Sequence, residues 1–451
     1  MFRDVKEMTN EELEKELHAI ELYQKEISKV NVSSLLNENI DTSFLKPLQC
    51  TITPNGQLFR IDKQGFLPKM MVEMYEDRKK FKKLMLKSQQ EYENEKDESK
   101  RKEIGKLIAR YNNLQLAKKV SLNSAYGAMG SQYFRFYDLR QALAVTQAGQ
   151  LSIRWIENKL NEYMNDVLKT NKDYVIASDT DSIYFNLGPL VDKVYKSSQE
   201  PDKVIAFMDK VCEDKIQPFI DESYQTLADY VHAFDQKMQM KREALSSKGI
   251  WTAKKRYILN VYNNEGVQYA KPKLKVMGLE MVKSSTPTVV RNKMYELVDL
   301  IVNTDEATVQ EFVAKFREQF KELPVEDVSF PRGCNGLAEY SDSKTIYKKG
   351  TPIHVKGAIL YNHYLKEKNL TNKYPYVKEG EKLKFTYLKT PNPIKDTVIS
   401  FPTRLPKEFE IQEFIDYDTQ FSKTFLEPIG LILNCIGWKA EKQATLESFF
   451  G

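Results

Sequence analysis

The chain has 451 residues, 41% of them hydrophobic and 29% charged, which is enough for two or three domains with cores of their own. No run approaches the roughly 20 apolar residues of a membrane helix, and the start Met1-Phe2-Arg3-Asp4 lacks the apolar stretch of a signal peptide, so a globular protein that stays where it is made is expected. A formal net charge of +5 is too small to argue for nucleic acid by itself, and the case must rest on where the lysines sit.

Thr9 followed by Glu12 is a capping-box pattern that opens a helix through Leu13, Leu17, Ile20 and Ile27. Extended, turn-rich chain is predicted from there to residue 65. Residues 67–90 read as a basic helix and 99–127 as a second. The polar link Asn94-Glu95-Lys96-Asp97-Glu98 makes them an antiparallel hairpin. A further helix is predicted over 138–167, with Leu139, Leu143, Leu151 and Trp155 facing a core. Strand patterns come next: Val175-Ile176-Ala177 and Ile183-Tyr184-Phe185 flank a polar tip, and Tyr257-Ile258-Leu259-Asn260-Val261 turns at Asn263-Asn264-Glu265-Gly266 into Val267-Gln268-Tyr269. Two hairpins in an otherwise helical chain predict an α+β, multidomain protein. Beyond Ser284-Ser285-Thr286-Pro287 helices return, followed by a loop-rich, lysine-rich region through Lys384 and a final helical stretch. Cys50, Cys212, Cys334 and Cys435 lie far apart with no C-x-x-C pair and are expected as buried thiols in a reducing cytoplasm.

Three groups of residues carry chemistry. Ser178-Asp179-Thr180-Asp181-Ser182 sets two carboxylates at the tip of an apolar hairpin. Phosphoryl transfer from a triphosphate uses two divalent cations roughly 3.5–4 Å apart on hard oxygen ligands, and close-set aspartates suit that; the plain structural alternative is an Asx turn in which they bond backbone amides. In Lys119-Val120-Ser121-Leu122-Asn123-Ser124-Ala125-Tyr126-Gly127, helical spacing puts Lys119, Asn123 and Tyr126/Gly127 on one stripe. That stripe combines a cation for phosphate, an amide, an aromatic plate and a glycine that admits a flat base pair. Arg78 and Lys82, also four apart, could converge on the same triphosphate, although for these two alone a solvated helix face is the better explanation. Lys254-Lys255-Arg256-Tyr257 leads into an apolar strand, and period-two alternation puts Lys255 and Tyr257 on one face, where they would suit a phosphate backbone and its sugar.

Taken together, N-S-x-Y-G, D-T-D-S-I-Y and K-K-R-Y, in that order, resemble the family B DNA polymerases, in the form found in T-even-type bacteriophages. The resemblance runs on through Pro272-Lys273-Leu274-Lys275-Val276-Met277-Gly278-Leu279 and Lys283-Ser284-Ser285-Thr286-Pro287 to Gly357-Ala358-Ile359-Leu360-Tyr361-Asn362 and covers nearly the whole chain. It implies a polymerase right hand: an antiparallel-sheet palm, helical-hairpin fingers and a mixed, mainly helical thumb. The implied segments are 1–64, a helical extension and first palm part; 65–131, fingers; 132–278, main palm; 279–442, thumb; and 443–451, a clamp-binding tail. It further implies that Asp181 is a direct ligand of two Mg2+ (or Mn2+) ions, Asp179 an auxiliary and Glu243 a supporting carboxylate. Arg78, Lys82, Lys119 and Asn123 would grip the incoming deoxynucleoside triphosphate, Tyr126 and Gly127 would line the nascent base pair, and Lys255 and Tyr257 would meet the primer end of the primer-template DNA.

One family element is altered. The motif D-x-x-S-L-Y-P-S, whose aspartate bridges both metals, has as its nearest counterpart His18-Ala19-Ile20-Glu21-Leu22-Tyr23-Gln24-Lys25. The carboxylate position is His18, and imidazole neither carries negative charge nor bridges hard magnesium ions. Tyr23 stands where the family's sugar gate would be, with a helix-face tyrosine as the alternative. These features lead to the expectation of the carboxy-terminal polypeptide of a split DNA-directed DNA polymerase. It would be active once joined to an amino-terminal polypeptide that supplies the missing aspartate and the exonuclease, in the cytoplasm of an infected bacterial host. A truncated intact polymerase and a noncatalytic clamp-tethered DNA-binding protein are the rival readings; the latter needs cations but no metal carboxylates. The terminus Gln443-Ala444-Thr445-Leu446-Glu447-Ser448-Phe449-Phe450-Gly451 fits Q-x-x-aliphatic-x-x-aromatic-aromatic. One helical turn would set Leu446, Phe449 and Phe450 on one side, with Gln443 as a polar anchor, as a peptide for a sliding clamp.

Overall fold

The computed structural model describes residues 9–195 and 200–442. It divides into two compact units, one taking in the chain up to Leu245 together with Tyr262–Pro272, the other Ser246–Val261 and the chain from Lys273 onward.

In the first unit, α1 (Asn10–Lys29) starts directly after Thr9, where the capping pattern puts it. Its Tyr23 and Ile27 pack on Phe44, Leu45 and Ile52. The stretch expected to be extended instead holds two short helices, α2 (Val32–Leu36) and α3 (Leu45–Leu48), and a small hairpin of β1 (Cys50–Ile52) and β2 (Leu58–Arg60). Asn31 and Ser34 cap α2 reciprocally, at 3.0 Å and 2.9 Å. Such short elements show no periodicity; they are held from outside, Leu35 and Ile40 being buried among Leu151, Trp155, Leu160 and Leu227.

Helices α4 (Phe66–Asn94) and α5 (Glu98–Met129) form the predicted hairpin, with Asp97 capping α5 by accepting from the Lys100 amide at 2.9 Å. The Lys118–Asp77 ion pair at 2.6 Å and the Arg101 guanidinium 4.4 Å from the Tyr92 ring centre fix their antiparallel register. Helix α6 (Leu139–Leu168) buries Leu151, Trp155, Ile156 and Leu160. Leu139 and Leu143, expected in the core, are 50% and 42% exposed: periodicity identifies the apolar face, but the core covers only its later turns. Trp155 Nε1 donates to the Ser223 carbonyl at 2.9 Å on α9 (Gln217–Tyr230), which follows α7 (Gly188–Val194), α8 (Pro201–Val211) and a wider turn, Cys212–Ile216. Strands β3 (Val175–Asp179) and β4 (Ser182–Phe185) pair as an antiparallel hairpin against α6.

Strands β5 (Ala244–Ala253), β6 (Arg256–Asn264) and β7 (Val267–Met277) form a sheet in that order. The β6–β7 turn belongs to the first unit and the β5–β6 turn to the second.

The second unit has two cores. In one, α10 (Thr288–Asn303), α11 (Glu306–Lys321), α12 (Val325–Val328), α15 (Tyr417–Phe421) and α16 (Glu427–Cys435) close around Phe316, Phe320, Phe421 and Phe425, whose ring centres lie 4.9–5.8 Å apart. The other sits in the region expected to be loops. There an antiparallel sheet of β8 (Phe330–Gly333), β11 (Lys382–Tyr387) and β12 (Val398–Phe401) is covered by α14 (Ile353–Glu367), beside α13 (Leu337–Tyr340) and the β9 (Ser341–Asp342)/β10 (Ile346–Tyr347) ribbon. The lysines of β11, Lys382 and Lys384, alternate with buried Leu383 and Phe385, and Lys384 reaches the Glu326 carbonyl at 2.7 Å.

Among the described residues no helix is long and apolar enough to cross a membrane. All four thiols are free; Cys212 and Cys334 are buried, with burial pushing each up to about 11. The expectation of burial fails for Cys50, which is half-buried, and for Cys435, which is exposed.

Candidate functional site

The two aspartates sit where β3 turns into β4. Asp179 pairs with Ser182 in register, and Thr180-Asp181 form the turn, with φ +59° at Thr180. The Asp181 amide donates to the Asp179 carbonyl at 2.7 Å, the Thr180 hydroxyl to Asp179 Oδ1 at 2.9 Å, and the Ser182 hydroxyl to the Asp179 carbonyl at 3.2 Å. Behind the tip, Ile183 and Phe185 pack on the core that contains Leu151 and Trp155. A rigid base therefore presents an exposed Asp181. Glu243 is exposed on the segment before β5, and its carbonyl accepts from the Glu265 amide. Its neighbour Arg242 is held by Asp209 and Asn263.

Carboxylates are the right donors for Mg2+ or Mn2+. Among the described residues, however, no group of three or more His, Cys, Asp or Glu side chains is placed to hold a metal ion, Glu243 included. Two carboxylates do not fit the donor set of a pair of close divalent cations. His18 is exposed on α1 and adds no charge of the required sign. Tyr23 stacks on Phe44 with ring centres 5.3 Å apart, which is the packed helix-face arrangement.

On the helical hairpin, Lys119, Asn123, Tyr126 and Gly127 all lie exposed on α5, and a side chain at Gly127 would meet nothing within 4 Å. The stripe is an open surface able to accept a flat or anionic ligand. Because Asp77 faces Lys118, the Arg78 turn of α4 lies level with the Lys119 turn of α5. Arg78 is half-buried. Lys82 is bound to the Glu265 carboxylate on the β6–β7 turn, so the cations of α4 and α5 differ in availability.

Lys254 and Lys255 form the turn between β5 and β6, with Lys255 exposed at φ +63°. The expected strand alternation therefore does not relate Lys255 to Tyr257, because the strand begins at Arg256; Tyr257 is 7% exposed. Gly278 packs on this turn, where an added Cβ would stand 2.2 Å from the Lys255 carbonyl oxygen. Arg256 is fixed to both carboxylate oxygens of Glu280, at 2.9 Å and 2.7 Å. Sequence reasoning gave Gly278, Glu280 and Glu265 no part in the site. The one local signal was a glutamate in an Asn-Asn-Glu-Gly turn where asparagine is the ordinary choice. Gln443, Leu446, Phe449 and Phe450 lie outside the described residues.

A paired-aspartate hairpin and a helical hairpin bearing N-S-x-Y-G occur together in the stretch that matches the family model for DNA polymerase family B, residues 23–207. Residues 23–207 thus match a family B DNA polymerase domain. Over 95% of its length it is 31% identical to the DNA-directed DNA polymerase of Enterobacteria phage T4 and 32% identical to that of Escherichia phage RB69, covering 54% of each. A shorter match, 32% identity over 35% of the chain and 14% of the relative, is to the DNA polymerase delta catalytic subunit of Candida albicans. The chain spans about half the length of the phage relatives it matches.

Proposed function

We propose that the chain is the carboxy-terminal part of a DNA-directed DNA polymerase that adds deoxynucleotides to a primer 3′ end, with its site completed by a carboxylate from outside these 451 residues. The observation that carries this reading is the rigid β3–β4 hairpin presenting Asp181 and Asp179 in a chain that aligns along nearly its whole length with phage polymerases. Residues 65–131 act as fingers, 132–278 as the main palm and 279–442 as the thumb. An amino-terminal region outside these residues supplies the missing aspartate and an exonuclease, and the reaction takes place in the cytoplasm of the infected host.

In the completed site, Mg2+ or Mn2+ ions held by Asp181, Asp179 and the added carboxylate would neutralise phosphate charge, with Glu243 as support. This chain's own residues bind and orient. Lys119 and Asn123 take the triphosphate oxygens from the open face of α5, joined by Arg78 and Lys82. Tyr126 and Gly127 line the nascent base pair, and Lys255 and Tyr257 meet the primer end. A tail with Gln443, Leu446, Phe449 and Phe450 docks a sliding clamp.

The test is magnesium-dependent primer extension by the purified chain, alone and with a complementary amino-terminal polypeptide carrying the family aspartate. Extension is expected only from the pair, and Asp181→Asn should abolish it while leaving DNA retention unchanged. Robust synthesis by the single chain would refute the incomplete site; near-normal turnover of Asp181→Asn would refute the assignment of the carboxylates.

A further inference from the structure

The turn joining β6 to β7 contains a residue ill-suited to it. Both central positions have positive φ, +50° at Glu265 and +87° at Gly266. A two-residue turn of this kind favours Asn, Asp or Gly at its first position, because a longer side chain crowds the backbone there. What Glu265 gains lies on α4, where its carboxylate holds the Lys82 ammonium. Two helical turns further along, Gln90 Oε1 accepts from the Gln268 amide at 2.9 Å. Helix α4 is thus fastened to the turn at two points on one face, one ionic and one neutral. The turn itself is braced: Asn263 Oδ1 accepts from the Gly266 amide at 3.1 Å and Asn263 Nδ2 donates to Gln268 Oε1 at 3.1 Å.

We propose that Glu265 is a built-in rival for the anion at Lys82. Its carboxylate holds the lysine while no ligand is present, and the phosphate oxygens of a nucleoside triphosphate, carrying several negative charges, take the lysine from it. The inference rests on reading Lys82 as a triphosphate ligand. Two properties follow from the geometry. Weakly charged anions are rejected, because a single charge gains little by displacing a carboxylate already in place. Release of Lys82 unfastens α4 at its ionic point while the Gln90–Gln268 bond stays, so arrival of the triphosphate is coupled to freedom of the helical hairpin.

The experiment is calorimetric titration of the 451-residue chain with inorganic tripolyphosphate at low ionic strength. Glu265→Gln and Glu265→Asn should each bind about three- to tenfold more tightly than the unsubstituted chain; the second also suits the positive φ, so misfolding cannot explain its result. Lys82→Ala should bind more weakly, and adding Glu265→Gln to it should change nothing further. Unaltered affinity in both Glu265 variants, with Lys82→Ala still weakened, would overturn the rivalry while leaving Lys82 as a phosphate ligand. If Lys82→Ala binds as well as the unsubstituted chain, the reading of Lys82 falls, and the rivalry with it.

Discussion

Single positions show how local chemistry sets the frame around the candidate site. Gly278 has φ +68°, and a Cβ there would lie 2.2 Å from the Lys255 carbonyl oxygen, a clash with backbone that no rotamer relieves. Gly278→Ala is expected to destabilise the protein by about 3 kcal/mol, read as a lower denaturation midpoint; a stability equal to that of the unsubstituted chain would mean the turn can move aside. Asp396, 8% exposed, receives Lys356 at 2.7 Å and the Tyr347 hydroxyl at 2.7 Å. Burial opposes the charge on Lys356, but its hydrogen bonds to Asp396 and Tyr347 and the Asp396 charge outweigh it and raise the lysine above its ordinary 10.5. Burial and Asp396 likewise raise Tyr347 above 10. A raised group stabilises the fold fully below its unfolded pKa and loses that contribution as pH rises through its folded one. Lys356→Met should therefore cost about 3 kcal/mol at neutral pH and flatten the loss of stability above pH 10.5. Equal alkaline slopes in urea melts of the two proteins would count against this.

Among the elements, the helical hairpin and α6 differ in what holds them. Helix α6 is anchored by Trp155, 1% exposed, whereas no residue of α5 is buried, so α5 is free to use its surface for ligands. Lys119→Ala should leave stability within about 0.5 kcal/mol yet weaken tripolyphosphate binding about tenfold, the loss of a charge-assisted hydrogen bond worth about 1.4 kcal/mol. Thermal unfolding and calorimetry together check both halves, and an affinity unchanged by the substitution would remove Lys119 from the proposed site. The long helices were legible in the sequence because periodicity, the capping-box pattern at Thr9 and Glu12 and the short charged link all point the same way. The sheet β8–β11–β12 was not, because β8 and β12 are only four residues each, too short to show alternation, and find their place only by pairing with β11. Lys255 was misjudged for another reason: the strand pattern was extended one residue too far, into a left-handed turn.

For the whole molecule, the proposed carboxylates and triphosphate-binding cations of the first unit are spread over residues 78–243. The clamp-binding tail of the proposal would have no share in the chemistry. Tethering to a clamp raises local concentration without altering the site, so deleting residues 446–451 should leave short-primer extension by the completed enzyme intact and collapse clamp-stimulated long synthesis. Undiminished stimulation after that deletion would show that the clamp docks elsewhere.

By itself, the sequence determined the α+β class, the helical hairpin, the two β-hairpins and the identity of the candidate carboxylates and cations, because each is written in short-range periodicity, caps and contiguous motifs. Only the tertiary structure decided that Leu139 and Leu143 stay exposed, that Tyr23 stacks on Phe44 and that Lys82 is held by Glu265. Coverage of an apolar face and pairing of a charge depend on residues far away in the chain: Lys82 and Glu265 are 183 positions apart, a distance no local pattern records.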